Sequence, residues 1–157
     1  MEIRELEIQA ATVEDAPIIT AHRRAMFEEM GATERAELDA MEAAFADWVR
    51  EKFARDEYFG WLAVDAEGKV FASVGLWLME WSPIPSDISG RRGRVMNVYT
   101  APEYRRQGLA RRLTIELIGW SRAHGLRFLD LDASAVGRGL YESLGFEETR
   151  EMRLRLE

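Results

Sequence analysis

Six consecutive residues, Arg105-Arg106-Gln107-Gly108-Leu109-Ala110, combine full positive charge, a glycine and the start of an apolar repeat. They follow an extended run, Asn97-Val98-Tyr99-Thr100, that must stop at Pro102. Proline has no amide for a sheet ladder and holds the preceding Ala101 out of the helical region. Beyond Gly108 the side chains of Leu109, Ala110, Leu113, Leu117 and Trp120 recur at helical spacing, with Arg111, Arg112, Glu116 and Arg122 opposite. A helix start carries unpartnered amides and the positive end of the aligned peptide dipoles, so a phosphate placed there satisfies both. Gly108 has no Cβ to hold a phosphate off the backbone, and Ala110 is small enough to let the helix lie near a sheet. Arg105, Arg106 and Arg111 can meet phosphate oxygens in pairs. The plainer reading is a helix start with a solvated arginine face; the strand, proline, turn and helix in sequence favour the anion.

The charge distribution bears on the partner. The net charge of −7 is uneven: residues 1–60 hold 15 acids and 7 bases, whereas residues 91–112 hold seven arginines against Glu103 alone. An extended nucleic-acid backbone needs a broad basic face, so a local basic centre beside an acidic half suits a compact polyanion, with a cationic second partner. With no cysteine there is no disulfide, thiolate metal site or cysteine nucleophile, and two histidines on predicted helices (His22, His124) make a poor metal set. No apolar run reaches the length of a membrane helix and the first thirty residues lack a signal-peptide pattern, so a cytoplasmic protein without membrane or nucleic-acid partners is expected.

The elements that must position this turn are legible from periodicity. At 157 residues a single domain over 1–157 is expected. Residues 3–10 alternate as a first strand, and Thr12 with Asp15 opens a helix carrying Ile18, His22, Ala25, Met26 and Met30 to a stop at Gly31. Thr33 opens a second helix with Leu38, Met41, Phe45, Trp48, Val49 and Phe53 on one side and acids on the other. Strands follow at 58–64 and 70–81, the second apolar on both faces and therefore central, then a proline-bearing loop and a strand at 94–100. After the arginine turn and its helix come a strand at 126–131, a short helix at 136–144 and one or two final strands over 146–156. The order predicts an α/β fold, a mixed central sheet of six to seven strands flanked by about four helices.

The stretch Asp132-Ala133-Ser134-Ala135-Val136-Gly137-Arg138-Gly139-Leu140-Tyr141-Glu142-Ser143-Leu144-Gly145-Phe146 lies one strand beyond the arginine turn. Together with NVYTAPEYRRQGLA, and with the element order over essentially the whole chain, it resembles the GCN5-related N-acetyltransferases, the GNAT superfamily. The resemblance implies that the strands at 94–100 and 126–132 splay apart to admit acetyl-CoA as cosubstrate. Its diphosphate would rest on Arg105, Arg106, Gln107, Gly108, Leu109, Ala110 and Arg111, and its pantetheine arm along Val98, Tyr99 and Thr100. It further implies that the Val98 amide meets the thioester carbonyl and that Tyr141 is the general acid.

A phenol with an ordinary pKa of ~10 can protonate a departing thiolate. Tyr141 is also a good core residue, as are Leu140, Leu144 and Phe146. Ser134 stands where many relatives place an asparagine that contacts CoA, and Asp130 and Asp132 are unusual on their strand. By the same resemblance, Glu28, Glu29 and Glu80 are candidates for the base that takes a proton from the attacking ammonium; Trp77 and Trp81 are of a kind to line an acceptor pocket, with core packing the plainer account. The expected activity is acetyl transfer to the primary amine of a cationic small molecule or peptide, with no metal, in a protein for which homodimerisation is open. The rival is a CoA-binding sensor or interaction module that keeps the fold without turnover.

Overall fold

A computed structural model describes residues 5–157. Its element order is β1 (Glu7–Ala10), a 3₁₀ turn (Val13–Asp15), α1 (Ala16–Glu29), α2 (Arg35–Ala54), β2 (Tyr58–Val64), β3 (Val70–Glu80), β4 (Arg91–Thr100), a second 3₁₀ turn (Pro102–Tyr104), α3 (Leu109–Ala123), β5 (Leu129–Asp130) and α4 (Arg138–Ser143). The strands lie side by side in chain order, antiparallel from β1 to β4, with β5 parallel to β4. A parallel neighbour requires a crossover, and α3 supplies it. Positions 3 and 4, expected to begin the first strand, lie outside the described residues.

Each face of the sheet has its own core. On one face, Leu109, Leu113 and Leu117 of α3 pack against Trp61, Ala63, Phe71, Val74, Leu76 and Val95. On the other, Ala16 and Ile19 of α1 and Phe45 and Val49 of α2 cover Tyr58, Leu62 and Val64. Central β3 is therefore buried on both sides, as its two apolar faces require. The amphipathic stripe of α3 explains its seat: Leu113 and Leu117 are fully buried, while Arg111, Arg112, Glu116 and Arg122 face water. Among the described residues no helix is long and apolar enough to cross a membrane.

Two expectations are corrected. The sheet has five strands rather than six to seven, and the expected strand over 126–131 shrinks to Leu129–Asp130. Residues 146–156 form no strand; Met152, Leu154 and Leu156 are 94%, 81% and 90% exposed. Alternation shows which side chains a strand would bury, but a strand forms only where an edge offers a ladder. Here β5 pairs with β4 at just two positions, Gly93 with Leu129 and Arg94 with Asp130.

Candidate active site

The two parallel strands separate immediately after Arg94 and Asp130, leaving the second half of β4 without a neighbour on that edge. What that edge presents depends on one irregularity. Gly75 of β3 pairs with Met96 of β4, but Ser73 pairs with Tyr99, so β4 holds an extra residue between these pairs. It is a β-bulge, and Asn97 within it has φ of 55°. Asparagine tolerates this left-handed region better than most residues with a Cβ.

The bulge changes the direction of every later amide. The Gly93 amide donates to Phe128 O, toward β5, at 3.2 Å, whereas the Ala101 amide donates to Phe71 O, toward β3, at 2.8 Å. These residues are separated by an even number of positions, and a regular strand would turn both amides to the same edge. The extra residue at Asn97 reverses the parity. Val98 and Thr100 therefore aim their amides into the opening between β4 and β5, while Tyr99 and Ala101 hold the ladder to β3. Periodicity along the sequence contains no sign of this reversal beyond an asparagine in a strand.

At the end of β4 the chain passes through the 3₁₀ turn into α3. Arg106 and Gly108 are both left-handed, with φ of 61° and 83°. No heavy atom lies within 4 Å of where a Gly108 Cβ would stand, so the glycine answers to its backbone angle and the space over the turn is open. The first helical bond runs from the Arg112 amide to Gly108 O at 3.0 Å. Among the described residues the amides of Gly108, Leu109, Ala110 and Arg111 donate to no backbone carbonyl. They form the anion-ready helix start that the sequence predicts.

The arginines divide their work. Arg105 turns back, its Nε donating to Thr100 O at 2.9 Å and its Nη2 meeting Glu29 Oε1 at 2.5 Å. Arg111 reaches across to α4, donating to Ser143 Oγ at 2.7 Å, and Ser143 in turn donates to Leu140 O at 2.6 Å. Among the described residues Arg106 and Arg112 have no acidic partner. Upstream, Arg92 and Arg94 pair with Asp130 and Asp132 at 3.3 and 2.7 Å. The two aspartates unusual for their strand are thus counter-ions to β4, and much of the basic centre is neutralised internally.

Tyr141 is buried in α4, with its ring edge-on to Phe146 at a centroid distance of 5.7 Å. Burial raises its pKa above the ordinary 10, and among the described residues its hydroxyl has no hydrogen-bond partner. A Cβ on Gly137 would lie 3.0 Å from the ring, so the tyrosine packs against bare backbone there. Tyr141 also lines a cleft of about 740 Å³ between the second half of α3, β5, α4 and residues 144–151; residues 98–111 do not reach it. Ser134, expected to touch CoA, accepts a hydrogen bond from the Gly137 amide at 3.0 Å and shapes the turn into α4.

The three candidate bases separate widely. Glu80 pairs with Arg91 at the far end of β4, seven positions from Val98 or about 23 Å along the strand, so the structure does not bring it to the opening. Glu28 is exposed and bonded to Arg24 at 3.0 Å. Glu29 is tied through Arg105 to the end of β4. Trp77 packs edge-on to Trp48 at 5.1 Å, and Trp81 is 40% exposed beneath the Arg92 guanidinium.

Sequence reasoning missed the polar cluster behind the bulge. Asn97, only 3% exposed, accepts a hydrogen bond from Arg23 Nη1 at 2.7 Å and donates from Nδ2 to the Tyr58 hydroxyl at 3.1 Å. His22 is buried on the same face: Nδ1 lies 2.7 Å from Ser73 Oγ, the ring stands 4.5 Å from that of Tyr99, and burial lowers its pKa to about 4. Among the described residues no group of three or more His, Asp or Glu gathers to hold a metal.

Residues 20–146 match the family model described as Acetyltransferase (GNAT) family. A GCN5-related N-acetyltransferase from Ralstonia eutropha JMP134 superposes with a TM-score of 0.89 at 32% identity, over 96% of this chain and 98% of that one. A predicted acetyltransferase from Clostridium acetobutylicum, whose crystal structure contains acetyl-CoA, shares the fold with a TM-score of 0.88 at 22% identity, over 96% of both chains. Glucosamine-6-phosphate N-acetyltransferase from Arabidopsis thaliana shares it more distantly, at 0.66 and 15%, over 97% of this chain and 99% of that one. No curated protein matches the chain.

Proposed function

The chain belongs to the acetyltransferase (GNAT) family, and we propose that, as one domain over residues 1–157, it moves the acetyl group of acetyl-CoA directly to a primary amine on a cationic small molecule or peptide. The observation that carries this reading is the reversal of amide direction at Asn97. It turns Val98 and Thr100 toward the opening whose far end is the unpartnered start of α3. A coenzyme lying there is gripped by its diphosphate at Gly108–Arg111 and by its pantetheine arm along β4.

Each residue then has a definite task. The amides of Leu109, Ala110 and Arg111, with Arg106 beside them, bind the diphosphate. The Val98 N–H meets the thioester oxygen and strengthens its hold as that oxygen becomes an oxyanion, which lowers the barrier to attack. Glu29, the one candidate carboxylate linked to the end of β4, takes the proton from the ammonium through water. Tyr141 returns a proton to the departing CoA sulfur; burial keeps the phenol protonated at neutral pH. Holding amine and thioester together supplies much of the rate, and no covalent enzyme intermediate is needed. The acidic faces of α1 and α2 favour a cationic acceptor by attraction at long range.

The test has two parts. Acetyl-CoA at ~100 times its Kd should stabilise the protein by about 2.7 kcal/mol in thermal unfolding. A panel of polyamines, aminoglycosides and peptide N-termini should then contain amines that release free CoA thiol. Stabilisation without thiol release from any amine would favour the silent sensor, and the absence of both would sink the coenzyme reading.

A further inference from the structure

We propose that Asn97, Tyr58 and Arg23 form a lock that holds the β4 bulge and so positions the Val98 amide; this rests on the acyl-transfer reading above. The bulge is an unstable device by itself. A residue with a Cβ at φ of 55° is strained, and sliding one position to restore a regular ladder would relieve it. That slide would return the Val98 amide to β3 and leave the opening without its donor. Something must hold Asn97 where it is.

The buried side of the sheet supplies the hold. The Asn97 carboxamide is engaged at both ends, its oxygen by Arg23 Nη1 at 2.7 Å and its nitrogen by the Tyr58 hydroxyl at 3.1 Å. A slipped Asn97 would abandon both bonds inside the core, where an unpaired polar group is costly. Neither partner is free to follow. The Tyr58 hydroxyl sits over Gly75, where a Cβ would lie 2.0 Å from its oxygen, and Tyr58 is 2% exposed. The Arg23 guanidinium is held between the rings of Phe45 and Phe27, at 4.7 and 5.1 Å from their centroids. Gly75 also forms the last regular pair before the bulge, so one glycine admits the hydroxyl and marks where the register changes. The side chains of the three residues bond to one another; they act through Val98 and are positioning residues.

The lock can be tested separately from catalysis. The ¹⁵N-labelled protein is titrated with acetyl-CoA and, in parallel, with free CoA, which lacks the thioester carbonyl. The wild-type Val98 amide should move further downfield with acetyl-CoA than with CoA. Tyr58→Phe and Asn97→Ala should cut that difference by about half or more, while CoA still binds through the separate diphosphate turn, weakened about 3- to 10-fold by the lost hold on its pantetheine arm. Asn97→Gly, which accepts the left-handed angle without strain, should keep more of the difference than Asn97→Ala. With any amine the panel identifies, kcat should fall about 10- to 100-fold in Tyr58→Phe, a larger change than any rise in KM for acetyl-CoA. Circular dichroism identifies variants that fold, and Asn97→Gly, which loses both lock bonds without strain, against wild type decides the matter if Tyr58→Phe does not fold. Equal Val98 differences in wild type and folded variants overturn the lock alone. A wild-type Val98 amide that bound acetyl-CoA and CoA move alike overturns the oxyanion role as well.

Discussion

Arg105 Nη2 stands 2.5 Å from Glu29 Oε1, joining the last turn of α1 to the turn that follows β4. The pair gives the acidic first part of the chain a fixed position at the mouth of the proposed site. Both groups are substantially exposed, so the pair itself adds little stability. In the mechanism proposed above, its use is to place a carboxylate near the amine. Glu29→Gln should therefore lower kcat about 10- to 100-fold, while leaving acetyl-CoA affinity within about twofold. Glu28→Gln and Glu80→Gln should stay within about twofold of wild type in both. Steady-state kinetics checks all three; full activity in Glu29→Gln would remove it from the mechanism.

Tyr141→Phe removes a hydroxyl and nothing else. Thiol release should drop about 10²-fold or more, with CoA binding by calorimetry within about twofold. Because burial holds the phenol's pKa above 10, the wild-type enzyme should show no loss of its acid on the alkaline side up to that pH. A descending limb near pH 8 that disappears in the variant would mean that the tyrosine ionises far more easily than its surroundings allow.

His22 predicts a dependence of stability on pH. Its pKa falls from 6.5 to about 4 on folding because the buried site disfavours the charged ring. Between those values the unfolded chain binds a proton that the folded chain refuses, so stability is full above pH 6.5 and declines as pH falls toward 4. At full expression the loss is about 3 kcal/mol. Urea midpoints of wild type and His22→Gln, measured from pH 7.5 to 4, should converge as the pH drops. Parallel curves would show that other groups govern the acid limb.

Gly75→Ala forces a methyl group into the space of the Tyr58 hydroxyl. Overpacking of this kind costs about 1–3 kcal/mol. Gly108→Ala meets no neighbour, and its penalty comes from φ of 83° alone, about 1–2 kcal/mol and below the cost of a 2.0 Å overlap. Denaturant melts should rank Gly75→Ala as the more damaging to stability. Titration with CoA should reverse that order, since of the two only Gly108 lies in the turn proposed to hold the diphosphate.

Local physics made a large part of this protein legible from its residues in order. Pro102 had to end a strand, Leu109 to Trp120 had to form a one-sided helix, and the turn between them had to expose amides. Those rules need no knowledge of the rest of the chain, and the motifs around Gly108 and Tyr141 carried the family with them. The strands over 146–156 failed because alternation describes a segment's faces and not the edge it must find; β5 offers two residues of ladder and then departs. Glu28, Glu29 and Glu80 were indistinguishable as letters, and only the folded chain sends Glu80 to the wrong end of β4. The deepest omission is Asn97. Whether a strand's amides face one edge or the other depends on a single extra residue, held by Tyr58 and Arg23 from 39 and 74 positions away. Such a parity is a property of three segments meeting in a core, and tertiary packing alone decides it.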